Sequence, residues 1–151
     1  MTKSDLYKTR EEIYALTDRL LDCSLPKTDW THAAHLAATY CLLHHQSYDD
    51  LKHSLPGIIR RYNDVTGVVN SDSEGYHETI TQAYLKAITH FIKRLPMDTG
   101  FVSGCHKLVS GPYGQKDFLL RYFSEQRLFS VAARRGWVEP NLSPLVFPEP
   151  E

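Results

Sequence analysis

Apolar residues recur at helical spacing along most of this chain. Behind Thr9, with Glu12 three positions on, Ile13, Leu16, Leu20 and Leu21 share a face. Thr-x-x-Glu ahead of such a stripe is a capping box, so a first helix is predicted from about Thr9 to near Cys23, before Pro26. The stretch KTDWTHAAHLAATYCLLHH then predicts a second helix, capped by Thr28 or Asp29. Its apolar residues go almost all the way round the wheel, the pattern of a helix buried on every side.

From Tyr48, the residues Leu51, Leu55, Ile58, Ile59, Tyr62 and Val65 hold one phase across Pro56. Proline removes one helical hydrogen bond and crowds the preceding turn. The unbroken phase nonetheless favours one kinked helix over two short ones. Residues 63–75 are dense in turn formers and predict a loop. A fourth helix is predicted from Tyr76 to Leu95, with Ile80, Tyr84, Ile88 and Phe91 inward and Gln82, Lys86 and Lys93 outward. A shorter helix follows from Thr99 to Val109. Two more, Phe118 to Phe123 and Glu125 to Arg135, break near Ser124, and Gly136 ends the second. The proline-rich tail from Trp137 is expected to lie extended on the surface, anchored by Trp137, Leu142 and Phe147. No strand, repeat or domain linker is evident. The expectation is an all-α, single-domain bundle of about five to seven helices spanning 1–151, with 137–151 as its extended tail.

Composition agrees with that class. The chain has 151 residues, 42 % hydrophobic and 23 % charged, enough to bury a core without disulfides or a structural metal. Its net charge of −1 supplies no basic field for nucleic acid. No apolar run approaches the ~20 residues of a membrane span, and the N-terminus lacks the apolar core of a signal peptide. The cytoplasm is therefore the expected compartment. Three scattered cysteines read as buried thiols.

The eight histidines are the compositional oddity. His32 and His35, at i and i+3, share a helix face. His77 falls on the inward side of the fourth helix beside the central loop. Together they offer three nitrogen ligands with an open fourth position, an arrangement suited to zinc and also to iron or nickel. The plainer reading is that each ring is satisfied inside the protein. Glu78, next to His77, is the candidate base, or simply complements the helix dipole. His77 and Glu78 are thus the catalytic candidates, although His-Glu-x-x-His is absent because Thr81 stands where the second histidine would be. Arg127, Ser130 and Arg134 share a stripe of the late helix, with Asn63 on the other side of the central loop. They are candidates for holding an anionic small molecule. Two functions compete: a small-molecule enzyme or ligand-binding protein with a His-rich, divalent-metal site, and a non-catalytic regulatory or protein-interaction module with structural histidines.

The strings W-T-H-A-A-H-L at 30–36, R-Y-N at 61–63, G-Y-H-E-T-I-T at 75–81 and Y-F-S-E-Q-R-L-F-S at 122–130, followed by W-V-E-P-N-L-S-P-L at 137–145, carry a resemblance. The chain resembles a family of small uncharacterised bacterial proteins over residues 30 to 145. The resemblance implies a cytoplasmic bacterial domain with histidines in its signature strings, and it brings no activity with it.

Overall fold

A computed structural model describes residues 7–150. The reading of residues 1–6 as free of a signal peptide lies outside them. The described residues form seven α-helices and short 3-10 turns, with no strand. None of these helices is long and apolar enough to cross a membrane.

Helix α1 spans Arg10–Leu21, and Thr9 caps it by accepting from the Glu12 amide at 3.1 Å. Helix α2 spans His32–Leu43. Its cap is Thr31 rather than Thr28 or Asp29, because Lys27–Asp29 forms a separate 3-10 turn behind Pro26. The expectation of a central helix holds. Ala33, Ala34, Leu36, Ala37, Ala38, Tyr40 and Cys41 are all buried in one core cluster, and α2 packs on α1, α3, α4 and α5. For each described cysteine the thiol is free, and burial pushes that of Cys105 up to about 12.

Helix α3 spans Tyr48–Thr66 in one piece, with Pro56 inside it. It ends at Gly67, whose φ of 85° is left-handed, so Asn63 belongs to the helix and the loop begins four residues later than the turn formers suggest. Helix α4 spans Glu78–Arg94 with His77 as its cap. Its expected outward face needs one correction: Gln82 is buried. Pro56 has no N–H to offer the Lys52 carbonyl one turn back, and the Gln82 amide donates to that carbonyl at 3.3 Å instead. A carbonyl released by proline thus draws a polar side chain between two helices, since buried acceptors must be satisfied.

Helix α5 spans Phe101–Ser110. The predicted helix over 125–135 is two: α6, Glu125–Leu128, and α7, Val131–Arg135. Ser130 interrupts it, its hydroxyl donating to the Arg127 carbonyl at 2.7 Å and accepting from the Ala133 amide at 3.1 Å. A serine bonding the backbone on both sides competes with the helix ladder. Residues 137–150 carry no regular element. Phe147 and Trp137 lie against core rings as expected. Leu142 is an exception: its side chain is exposed, and its backbone N–H anchors to the Tyr122 carbonyl at 2.8 Å.

Candidate functional site

Helices α2, α3, α4 and α7 line an open cavity of about 610 Å³. Buried Leu36, Thr39, Leu55 and Ile88 make up the floor, and buried Ile59, Tyr62, Asn63, Tyr76 and His77 also line the cavity. Exposed Lys27 and Phe129, with half-buried Thr66, Val68, Gly75 and Arg134, mark the mouth. Apolar walls with few polar groups, in a volume between ~300 and ~1,000 Å³, are typical of small-molecule sites.

The α2 cap turns His32 and His35 towards this space. A carbonyl can only accept, so His32 Nε2 donates to Tyr113 O at 3.2 Å, and the His32 ring meets Tyr84 edge-on at 5.3 Å. His35 stacks on Trp30, with ring centroids 3.7 Å apart. Protein surrounds the His35 ring, while part of its surface stays open at the cavity wall. Among the described residues it makes no hydrogen bond. Burial, reinforced by the neighbouring His32, pushes its pKa down to about 3, so it is a neutral imidazole at physiological pH. The Tyr84 hydroxyl also lines the cavity, and burial pushes its pKa upward.

His77 has a different job. Its Nδ1 accepts from the Ile80 amide at 3.1 Å, which caps α4. The proton therefore sits on Nε2, which donates to Leu128 O at 2.7 Å and ties α4 to α6. Burial lowers its pKa, and this outweighs the bond to Leu128. Both nitrogens are committed, so His77 offers no lone pair to a metal without giving up a cap or a tether. The expected zinc, iron or nickel ligand set of His32, His35 and His77 is not assembled, and no group of three or more His, Cys, Asp or Glu among the described residues is placed to hold a metal ion. Glu78 does not line this cavity. Its carboxylate accepts from the Tyr76 hydroxyl, and it lines a separate small pocket with Lys52, Gln82 and Lys86.

The arginine stripe also divides, because the break at Ser130 makes α6 and α7 two separate helices. Arg127 leaves the site and donates to the Glu139 carbonyl in the tail, and Ser130 is occupied as a cap. Val131 and Ala132 are exposed, while Ala133 is buried. Arg134 alone of the stripe reaches the cavity, its Nη1 donating to Gly75 O at 3.0 Å and Tyr76 O at 3.4 Å. Asn63 does line the cavity; its Nδ2 donates to Asn70 Oδ1 at 3.0 Å, and that oxygen also accepts from the Tyr76 amide at 2.9 Å.

Several wall residues went unread in the sequence: Lys27, Trp30, Thr39, Tyr76 and Tyr84. Only Tyr84 carried a signal, since it lies in line with His77 on α4. The others arrive from elements far apart in the chain.

Gly75 holds the mouth together. Its φ of 82° is left-handed, and a Cβ there would strike Val69 O and come within 2.8 Å of Asn70 Cα. Gly75→Ala is expected to cost about 1–2 kcal/mol from the backbone conformation and the clash, read as a lower urea midpoint. An unchanged midpoint would mean that the loop reshapes freely and that Gly75 O does not fix Arg134.

The chain matches no protein-family model, no curated protein and no solved structure, so the resemblance drawn from its sequence strings rests on those strings alone.

Proposed function

We propose that this protein binds a small organic molecule in the cavity between α2, α3, α4 and α7. The observation that carries the reading is the open, mostly apolar cavity with the His35 imidazole in its wall, stacked on Trp30 and making no hydrogen bond among the described residues. A ligand can offer a hydrogen bond to the His35 ring at the cavity wall while its body covers the apolar floor. Acid–base catalysis by His77 and Glu78 finds no support in their bonding, and a neutral imidazole with so low a pKa is a weak base. The reading therefore favours recognition over chemistry at these residues.

The amphiphilic dye 8-anilinonaphthalene-1-sulfonate serves as probe. It is expected to bind the folded protein at a single site. Thr39→Phe, which puts a ring into the floor, should weaken that binding at least about tenfold, because overpacking removes the space the dye needs. Ile80→Trp is a second blocking variant should the first unfold. Equal affinity for the wild type and a folded blocking variant would place the dye elsewhere and overturn the reading.

A further inference from the structure

Every cavity with one sign of charge at its mouth selects among ligands of the same shape. Here the lining includes two cationic side chains, Lys27 and Arg134, and no Asp or Glu. The two carbonyls that accept from Arg134 Nη1 fix its guanidinium. Among the described residues its Nε and Nη2 donate to no acceptor, and no carboxylate pairs with it. Asp72, the acid whose field reaches Arg134, is held in a two-pronged pair by Arg135 at 2.7 and 2.6 Å. Other arginines of this protein are engaged: Arg94 grips Glu149 at 2.8 and 3.0 Å, and Arg127 grips the tail carbonyl.

Resting on the cavity as a binding site, we propose that its ligand is an amphiphilic monocarboxylate, with the acid group on Arg134 at the mouth and the apolar body on the floor. A planar guanidinium edge matches two carboxylate oxygens. One such edge suits a monoanion better than a phosphate dianion, which calls for more donors. Asn63 Nδ2 donates to Asn70 and the Thr66 hydroxyl to Tyr62 O at 2.9 Å, so the second charged donor in the lining is the Lys27 ammonium. The apolar residues Leu36, Leu55, Ile59 and Ile88 offer the acid no hydrogen bond.

Calorimetric titration with octanoate, octanol, octylamine and octyl phosphate tests this, since the four share one apolar body. Octanoate is expected to bind at least about tenfold more tightly than octanol, as a charge-assisted pair contributes on that scale. Arg134→Gln should remove that advantage and leave octanol unchanged. Arg134 also braces the loop at Gly75, so a second variant, Val68→Glu, adds a carboxylate at the mouth without removing a hydrogen bond. It should weaken octanoate and strengthen octylamine, each about tenfold. Octanol binding as tightly as octanoate would overturn the carboxylate and leave the cavity standing as a site. Octyl phosphate binding more tightly than octanoate would overturn the monoanion. If none of the four binds, both the ligand class and the binding reading fall.

Discussion

Replacing His77 with alanine is expected to lower the unfolding free energy by about 2–4 kcal/mol, adding a lost cap of about 1 to an orphaned carbonyl of about 1–3. The ring is 7 % exposed and uses both nitrogens, one for the Ile80 amide and one for Leu128 O. His77→Asn separates the two contributions. Asparagine caps a helix well but is too short to reach α6, so it should recover about 1 kcal/mol of the loss. Urea unfolding of the three proteins at pH about 7.5, above the ordinary histidine pKa, is the measurement. A His77→Ala loss under about 0.5 kcal/mol would mean that neither bond matters. The residue would then return as a candidate for chemistry.

Acid is expected to weaken the fold well above the range where carboxylates titrate, and His35 is expected to be a principal cause. Its pKa in the folded protein is about 3, below the ordinary value near ~6.5 that applies when the chain unfolds. As pH falls through that ordinary value, the unfolded chain takes up the proton and the folded protein does not. Stability present above pH ~6.5 is therefore lost on acidification, at about 1.4 kcal/mol per pH unit per such histidine. Between pH ~6.5 and ~5 the loss from His35 alone comes to about 2 kcal/mol. His77, whose pKa is also lowered, adds in the same direction. His35→Phe keeps a ring against Trp30 and removes the titrating group. Its stability should fall less than that of the wild type over this range, by about 2 kcal/mol. Equal losses in the two proteins would show that His35 is free to protonate in the folded state, and hence that the cavity wall is wetter than its packing implies.

The two histidines with these effects were both conspicuous in the sequence, yet their roles were not. Spacing shows which residues share a helix face, and it placed His32 with His35. It also shows a helix apolar all round, which made α2 central. Thr9 with Glu12, and the unbroken phase across Pro56, correctly announced a helix start and a continuous α3. These are local facts, settled within a turn or two of backbone, and a sequence carries them in full.

What lies across the gap between elements is another matter. His77 stands one residue before its helix, so its ring meets the backbone of that helix, and Leu128 arrives from 51 positions away. Gln82 looks outward on a wheel until Pro56 on another helix leaves a carbonyl for it. The arginine stripe held only as long as residues 125–135 made one helix, and one serine bonding the backbone split it. Tertiary packing decided each of these because a buried donor or acceptor takes the nearest partner wherever the chain supplies it. By itself the sequence determined an all-α chain with a buried second helix and a polar cluster near its start. Only the folded structure decided that His77 is a brace, that Arg134 alone of its stripe faces the cavity, and that the His35 ring, stacked on Trp30, makes no hydrogen bond among the described residues.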